Sequence, residues 1–497
     1  MACNKFQSDA PLYRAARRFI RKGAQSFHVP LHGRGPGAPW LRRAGFASSM
    51  KWDLTELDSL DDLHLPRGAI KKAQELAADL FKAGKTFFLV NGVTGGLLAL
   101  LMAFAGPGKK VLLTRLSHKA ALHGLILSGA LPVYLPVERE PSTGFPLNVS
   151  PLSVEKGLRE NPETVLVLIT SPSYWGVAAD LPAIRKIADK YGVILAVDEA
   201  HGAHFPFYGD KLPHSAAAGA DIWLQSAHKS LGSLTPGAFL HLGKRISSHD
   251  LRFWLQALQT SSPPYPVMVS LDLTRRQMAL MGNRLFTRLW NWGLHFRREL
   301  DREGFLFLRT EKVEKAGFAL DPCRITLLFP RGEGRLFSKL LAEKGYRVEL
   351  EAGSYLLAIG GPSQLAYRGR SFLKALSEVR FSLCRSRGST PLQPPSAEFP
   401  PAFFNYSGED EGNIFPFALT PREALGARRA FVPLKEAVGE ICAEMVVLSP
   451  PGIPAVIPGE ILSEETVHFL MQKKAGGLFF QGARDPALNR ITVVRKT

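Results

Sequence analysis

Short apolar runs alternate with helical patterns between about residues 65 and 245, and this alternation constrains the fold of the chain more than any other feature. The runs that read as strands lie at 86–90, 111–114, 132–135, 165–170, 193–197, 222–225 and 237–242. Segments between them, such as 69–82 and 181–191, place apolar side chains on one helical face, and Asp180 and Gly192 bracket the second segment. Strands that are apolar on both faces and separated by helices indicate an α/β fold with a parallel sheet covered on both sides.

The length of the chain requires more than one hydrophobic core. With 497 residues, of which 45% are apolar, it has enough apolar side chains for about two or three cores. We predict an N-terminal helical arm at 1–50, a large domain at 51–300, a smaller α/β domain at 301–386, a linker at 387–401 and a C-terminal domain at 402–497. Helices are expected near 434–444 and 464–474 within the C-terminal domain.

The formal net charge of +18 does not by itself indicate a polyanion partner. No basic run reaches five residues and no nucleic-acid-binding motif with interleaved aromatic residues occurs, so a generally basic surface is the simpler interpretation. The segment 86–106 is about long enough to cross a bilayer, but Asn91 and several glycines interrupt it and predict a strand, a turn and a helix. We therefore expect neither a nucleic-acid partner nor a membrane span.

The four cysteines are scattered over positions 3, 323, 384 and 442. Because none belongs to a CxxC pair, neither a disulfide framework nor a zinc site is indicated, and a reducing cytoplasm is the expected location. The basic segment 1–22 contains no apolar run long enough for a signal peptide. It is expected to form an amphipathic helix with Leu12, Ala16, Phe19 and Ile20 facing inward.

Asp198 and Lys229 point most directly to chemistry. Asp198 follows the run 193–197 and Lys229 follows the run 222–225, so both are expected at the carboxyl ends of parallel strands. An enzyme that holds pyridoxal phosphate (PLP) needs a lysine as Schiff-base partner and a carboxylate against the pyridine nitrogen. A carboxylate at a strand end can also be a helix cap, which stays the alternative for Asp198. The pair predicts a PLP enzyme.

A phosphate site is expected where the run 86–90 passes into a helix. Thr94 offers a hydroxyl, Gly95 is small, and the N-terminus of a helix has free N–H groups. Glycines at such a turn are often only structural, so this signal is weak by itself. Ser226 and His228, next to Lys229, are further candidate donors to the phosphate.

Three histidines also need an interpretation. His118 follows the run 111–114; a lone histidine there is usually structural, but beside the two sites above an imidazole stacked on the cofactor ring is a consistent interpretation. His201 and His204 resemble a metal-binding pair. Because no carboxylate or cysteine has a suitable spacing to them, no metal site is predicted.

A series of motifs along the chain resembles a known enzyme family. The motifs are LDDLHLPRGAI at 60–70, FFLVNGVTGG at 87–96, SHKAALHGLILSGA at 117–130, ITSPSYWGV at 169–177, VDEAHGAHF at 197–205, QSAHKSLGSLTPGAFLH at 225–241, LQTSSPPYPVMVSLD at 258–272 and PPGIPAVIPGE at 450–460. In this order they resemble the ornithine/lysine/arginine decarboxylases of the aspartate-aminotransferase fold. The resemblance implies a PLP-dependent fold-type I large domain with a mostly parallel seven-stranded sheet, a smaller α/β domain and a C-terminal α+β domain.

The resemblance also implies a role for each candidate residue. Lys229 would form the Schiff base, Asp198 would pair with the pyridinium, and His118 would stack on the ring; these are the expected catalytic residues. The cofactor-binding set that it implies is Lys229, Asp198, His118, Ala200, His201, Thr94, Gly95, Ser226, His228, Ser261 and Ser262. Family members complete the site across a dimer, with Ser261 and Ser262 reaching the neighbour's cofactor. A homodimer or a larger even oligomer is therefore expected.

The chain resembles the short, mostly biosynthetic members of this family. This implies a small basic amino acid as substrate, with arginine favoured over lysine and ornithine, and agmatine and carbon dioxide as products in polyamine biosynthesis. Glu460 is expected nearest the distal cation of the substrate, with Asp61 and Asp62 as weaker candidates; the alternative is that Glu460 only caps the following helix. Lys229 and His118 are both candidates for the proton donor. An aminotransferase or lyase of the same fold, or an inactive homologue that acts as a binding protein, are the remaining alternatives.

Four positions depart from the motifs of the family. Leu31 and Gly33 stand where the motif HVPGHK has Gly and Lys, and Leu116 stands where RNSHK has Asn. Val93 occupies a position where a small hydroxyl residue is usual. These departures bear on substrate preference and turnover, but they leave the candidate catalytic residues intact.

Overall fold

The computed structural model describes residues 5–23, 25–329, 333–367, 369–387, 417–448, 452–475 and 480–495. The predicted linker 387–401 lies outside these ranges apart from its first residue. None of the helices in the described ranges is long and apolar enough to cross a membrane.

The N-terminal arm is helical. It contains a 3-10 helix at Lys5–Ser8, α1 (Pro11–Lys22), α2 (Pro39–Leu41), a π-helical turn at Arg42–Phe46 and α3 (Ala47–Met50). As the amphipathic pattern predicts, α1 buries Leu12 and Ala16, whereas Phe19 and Ile20 are half-buried. The carboxylate of Asp272 accepts the N–H groups of Leu12 and Tyr13 at 2.9 and 3.2 Å, so this later residue satisfies the free donors at the start of α1.

The large domain is built on a seven-stranded sheet with the order β1-β8-β7-β6-β4-β2-β3. Its strands are β1 (Lys85–Leu89), β2 (Lys110–Thr114), β3 (Leu131–Leu135), β4 (Thr164–Thr170), β6 (Ile194–Asp198), β7 (Ile222–Gln225) and β8 (Ala238–Leu242), and a two-residue strand outside the sheet, β5, spans Val177–Ala178. Strand β8 runs antiparallel to both of its neighbours, whereas the other neighbouring strands are parallel. This mostly parallel sheet confirms the predicted fold class.

Helices cover both faces of the sheet. They are α4 (Ala69–Leu80), α5 (Gly92–Phe104), α6 (Lys119–Ser128), α7 (Pro151–Glu160), α8 (Leu181–Tyr191), α9 (Ser215–Ala218), α10 (Ala227–Ser230), α11 (His249–Leu258) and α12 (Tyr265–Arg302). Helix α8 begins and ends as predicted: Asp180 accepts the N–H of Ala183 at 3.1 Å, and Gly192 has a φ of +66°. Helix α5 lies close to the sheet because Gly96 has no side chain; a Cβ atom there would be 2.5 Å from Leu224.

The long helix α12 leads from the large domain into a smaller one. This domain contains α13 (Thr310–Lys315), β9 (Ala319–Leu320), β10 (Arg324–Leu328), α14 (Glu333–Glu343), β11 (Leu350–Ala352), β12 (Tyr355–Ile359), α15 (Gln364–Tyr367) and α16 (Gly369–Arg387). Strands β10, β12 and β11 form an antiparallel sheet, and β9 pairs with β5 of the large domain. The pairing of β9 with β5 attaches the smaller domain to the edge of the large one.

The C-terminal part contains two further small sheets. Its elements are α17 (Pro421–Gly426), β13 (Arg429–Pro433), β14 (Val446–Leu448), β15 (Ile453–Val456), α18 (Glu464–Ala475), β16 (Phe480–Gln481) and β17 (Arg490–Val494). The predicted helix at 464–474 is confirmed, but the helix near 434–444 is wrong. Only Leu434–Glu436 forms a 3-10 turn, and Ile441 and Cys442 instead form isolated β-bridges with Ile461 and Val493. These long-range backbone contacts override a weak local helical pattern.

Candidate active site

Three of the sequence candidates converge at one edge of the large sheet. Asp198 is the last residue of β6, and Lys229 lies in α10, directly after the neighbouring parallel strand β7. His118 follows β2 and is the N-cap of α6. In open α/β sheets the carboxyl ends of parallel strands are where ligands bind.

Asp198 is a buried acid with few partners. Its side chain is 4% exposed, and within the described part of the chain its carboxylate accepts a hydrogen bond from the Ala200 N–H at 3.2 Å and forms no ion pair. Burial raises the pKa of this carboxyl, and the charge of Lys229 acts in the opposite direction. A buried carboxylate without a cation is costly. Asp198 therefore fits a protonated pyridine nitrogen as its missing partner.

Lys229 has the properties of an amine nucleophile. Its Nζ lies 3.0 Å from the Nε2 atom of His201. The side chain reaches solvent, yet desolvation by the surrounding protein lowers the pKa of the amine, and the charge of Arg324 acts in the same direction; Asp198 and Glu349 oppose this. A lowered pKa leaves more of the amine unprotonated, which is the form that bonds to a carbonyl carbon.

His118 is a neutral imidazole held from two sides. Burial, with a smaller contribution from the nearby charges of Lys229 and Lys119, lowers its pKa to about 4. Its Nδ1 accepts the N–H of Ala120 at 3.2 Å, which places the ring proton on Nε2. From the C-terminal part, Gly452 accepts the N–H of Lys119 at 3.1 Å, and a Cβ atom on Gly452 would lie 3.3 Å from the Nε2 of His118. The imidazole therefore keeps one ring position at physiological pH.

The predicted phosphate-binding residues lie at two helix N-termini on this edge. Thr94 is exposed and Gly95 is buried in the first turn of α5, where N–H groups lack helical partners. Ser226 is the buried N-cap residue of α10, and His228 in α10 contacts the Gly237 carbonyl through Nδ1 at 3.1 Å. Ala200 is buried beside Asp198. Together with the unpaired carboxylate of Asp198 and the amine of Lys229, this donor set fits PLP.

The carboxylates predicted to bind the substrate have protein partners in this structure. Glu460 is 2% exposed and forms a 2.5 Å ion pair with Arg115, and its second oxygen accepts the N–H of Ile457. It therefore neither faces open space nor caps α18. Asp61 accepts backbone N–H groups at the start of α4, among them that of Ile70 at 2.9 Å, and Asp62 accepts the N–H of His64 at 2.7 Å. Asp61 is thus a helix cap.

Ser261 and Ser262 lie on the exposed loop between α11 and α12. The N–H of Ser262 donates to the Oγ1 of Thr260 at 3.1 Å, and the Thr260 carbonyl contacts the Nε2 of His64 at 2.9 Å. These contacts define the shape of the loop. They do not join the two serines to Lys229 or Asp198.

Several residues near Lys229 were not among the site residues predicted from the sequence. Arg324, the first residue of β10, contacts the Nδ1 of His201 through Nη2 at 3.1 Å. The ring of Tyr174 packs edge-on against His201 with centroids 5.0 Å apart, and its hydroxyl donates to Glu349 at 2.6 Å. Arg324 and Glu349 belong to the smaller domain, so only the packing of the two domains brings them to this edge.

His204, the second histidine of the motif VDEAHGAHF, does not contact Lys229 but pairs with an aspartate of the smaller domain. The Nε2 of His204 lies 3.1 Å from Asp321, and both residues are buried away from solvent. Among the residues that the structure describes, no group of three or more His, Cys, Asp and Glu side chains is arranged to hold a metal ion.

The four residues that depart from the family motifs are three apolar side chains and one glycine with a positive φ. Val93 and Leu116 are 6% exposed and belong to hydrophobic clusters, and Leu116 shares its cluster with Ile453 of the C-terminal part. Leu31 is 85% exposed and Gly33 has a φ of +53°, a value that favours glycine. None of these side chains supplies a polar group to the site.

Comparison with known proteins agrees with this geometry. A family model described as Orn/Lys/Arg decarboxylase, major domain, matches residues 10–330, and the C-terminal domain of the same family matches residues 417–482. An arginine decarboxylase from Bacillus subtilis is 34% identical over 499 residues, which cover 99% of this chain and 99% of that protein. An arginine decarboxylase from Halalkalibacterium halodurans is 30% identical and covers 99% and 98% of the two chains.

Solved structures show the same fold. The constitutive lysine decarboxylase of Escherichia coli aligns with a TM-score of 0.78 at 20% sequence identity, covering 98% of this chain and 82% of that one. The serine palmitoyltransferase of Sphingomonas wittichii aligns with a TM-score of 0.54 at 16% identity, covering 76% and 85%. The family match, the fold and the donor set lead to one conclusion: the chain belongs to the Orn/Lys/Arg decarboxylase family and is a PLP-dependent decarboxylase of fold type I.

Proposed function

We propose that this protein decarboxylates arginine to agmatine and carbon dioxide and supplies polyamine biosynthesis. The observation that carries the chemistry is the position of a buried, unpaired Asp198 beside Lys229 at the ends of adjacent strands. The choice of arginine is supported by relatives of 30–34% identity that bear the name arginine decarboxylase. Lysine and ornithine are the alternative substrates, since a more distant relative, at 24% identity, is an inducible lysine decarboxylase of Escherichia coli.

The surroundings of each candidate residue support a specific role in binding the cofactor. When bound, PLP supplies an electron sink for the electron pair released as the α-carboxylate leaves. Lys229 binds the cofactor through its amine, and Asp198 holds a proton on the ring nitrogen, because a buried carboxylate stabilises a cation in contact with it. His118 would help to hold the cofactor ring as a neutral imidazole. The helix N-termini at Thr94 and Ser226 bind the phosphate.

We also propose a homodimer or a larger even oligomer. Large apolar side chains of the N-terminal arm are exposed, with Phe27 at 96% and Trp40 at 79%. Large apolar side chains exposed on one arm support a subunit contact there, and the exposed Ser261 and Ser262 are then available to a neighbouring subunit. Light scattering on the holoenzyme is expected to give an even multiple of 54.6 kDa, whereas a monomer would contradict the proposal.

The scattered cysteines support a cytoplasmic location.

Two experiments test the function. Purified holoenzyme is supplied with arginine, lysine and ornithine separately, carbon dioxide release is measured at low substrate concentration, and the amine product is identified. Arginine is expected to have the highest kcat/KM, and faster turnover of either other substrate would reverse the choice. Borohydride reduction followed by peptide mapping is expected to place the pyridoxyl group on Lys229; labelling of another lysine would refute the assignment.

A further inference from the structure

Lys229, His201 and Arg324 form a line of hydrogen-bonded side chains. The Nζ of Lys229 lies 3.0 Å from the Nε2 of His201, and the Nη2 of Arg324 lies 3.1 Å from the Nδ1 of the same ring. Arg324 is 2% exposed, and a further contact of 3.3 Å joins its Nη2 to the His201 carbonyl. One imidazole therefore connects the amine of the large domain to a guanidinium of the smaller domain.

The donors and acceptors along this line can be assigned from their chemistry. A guanidinium only donates hydrogen bonds, so the Nδ1 of His201 must accept from Arg324. The single proton of the neutral ring then resides on Nε2, and this N–H donates to the Nζ of Lys229. Only an unprotonated amine has the lone pair that accepts this bond. An ammonium at Lys229 would place a donor against a donor.

The neutral form of His201 is favoured by its surroundings. Burial lowers the pKa of its imidazole well below the ordinary value, and the charge of Arg324 acts in the same direction. Tyr174 packs edge-on against the ring and limits its rotation. The ring therefore keeps one orientation and one neutral tautomer.

Arg324 is held in place independently of His201. The Nη2 of Arg297 donates to the Arg324 carbonyl at 2.6 Å, and the carboxylate of Asp321 lies 3.8 Å from the Nε of Arg324. Gly176, with a φ of +87°, makes room for its side chain, since a Cβ atom there would be 2.3 Å from the Cγ of Arg324. The guanidinium thus reaches His201 as part of a rigid element.

We propose that Arg324 is a positioning residue: it selects the tautomer of His201 that donates to Lys229 and thereby keeps the Lys229 amine unprotonated whenever that amine is free. The proposal rests on the proposed function, in which Lys229 must bond to the cofactor again after each product leaves. Among the described residues, the charged and titratable groups that interact with Lys229 are Asp198, Glu349, His118, His201, His228 and Arg324. Asp198 and Glu349 favour the ammonium, so the arginine–histidine pair opposes them.

The test measures the protonation of Lys229 directly in the full-length protein after PLP has been removed. Trace labelling with acetic anhydride across a pH series, followed by peptide mass spectrometry, gives the pKa of this one amine, with Lys72 on the surface as internal reference. Arg324→Met, His201→Ala and the double variant form a double-mutant cycle, and circular dichroism verifies the fold of each. Arg324→Lys is the conservative variant because it keeps the charge and a donor-only group.

The expected results distinguish an effect of Arg324 through the tautomer of His201 from a direct effect of its positive charge on Lys229. Arg324→Met is expected to raise the pKa of Lys229 by about one unit or more, a typical shift for a neighbouring charge and hydrogen bond. In the His201→Ala background the same substitution is expected to raise it by clearly less, and Arg324→Lys is expected to stay near wild type. An equal rise in both backgrounds would show that Arg324 acts by its charge alone and would overturn the proposal, as would no rise at all. Because the labelling needs no substrate, its outcome is independent of whether arginine is decarboxylated.

Discussion

The buried ion pair between Arg115 and Glu460 provides a sharp test of how the C-terminal part is attached. The pair is 2.5 Å long, its side chains are 7% and 2% exposed, and the guanidinium also lies 4.5 Å above the ring of Tyr134. Replacement of Glu460 by glutamine removes the charge and leaves an amide N–H to face either Arg115 or the N–H of Ile457. Breaking a buried pair from one side costs about 3–5 kcal/mol of unfolding free energy, because the remaining charge stays buried without its counter-ion.

A matched control is available on the surface. Glu155 and Lys190 form a pair of similar length, 2.6 Å, but their side chains are 32% and 65% exposed. Glu155→Gln is therefore expected to cost only about 0–1 kcal/mol. Urea unfolding followed by circular dichroism, with equal slopes for all variants, gives the two differences from the shift in midpoint. The double variant Arg115→Met, Glu460→Met is expected to recover most of the loss, since apolar side chains of similar size can replace a buried pair.

Two outcomes would refute this reasoning. If Glu460→Gln shifts the midpoint no more than Glu155→Gln does, the pair does not stabilise the contact between the two parts. If Glu460→Gln leaves stability unchanged but alters the preference among arginine, lysine and ornithine, the carboxylate serves the substrate after all.

Three further predictions concern the site and its support. Asp198→Ala is expected to keep the fold by circular dichroism and to lower turnover on the order of a hundredfold or more, and near wild-type turnover would show that Asp198 is only a helix cap. Gly452→Ala is expected to weaken PLP binding in a fluorescence titration, because its methyl group would press on His118, whereas Gly439→Ala, which shares a positive φ but would contact no atom within 4 Å, is expected to bind normally. Burial raises the pKa of Glu199 from 4.5 to about 7, so the folded state binds more protons than the unfolded state between these values and stability falls as the pH rises through this window. Thermal midpoints from pH 5 to pH 7.5 are expected to fall less steeply in Glu199→Gln than in the unmodified protein. Parallel curves for the two proteins would contradict a raised pKa at Glu199.

Local patterns in the sequence determine much of this protein. The apolar runs that form the seven strands of the large sheet, the caps of α8 at Asp180 and Gly192, and the placement of Asp198 and Lys229 at strand ends all follow from spacing over a few residues. Such patterns are readable because strand and helix periods, capping and turn residues act between near neighbours in the chain. They were sufficient to predict the α/β fold and the PLP chemistry, whereas the family followed from the resemblance of the motifs to known decarboxylases.

Only the tertiary structure decided what depends on distant segments. The antiparallel direction of β8, the pairing of Glu460 with Arg115 and the approach of Arg324 to His201 join residues that are far apart in sequence. The sequence does not show whether a given carboxylate or guanidinium contacts a substrate, a counter-ion or a histidine. Its role is settled by the burial and the partner that domain packing provides, because the cost of a buried charge depends on what lies within a few ångströms of it.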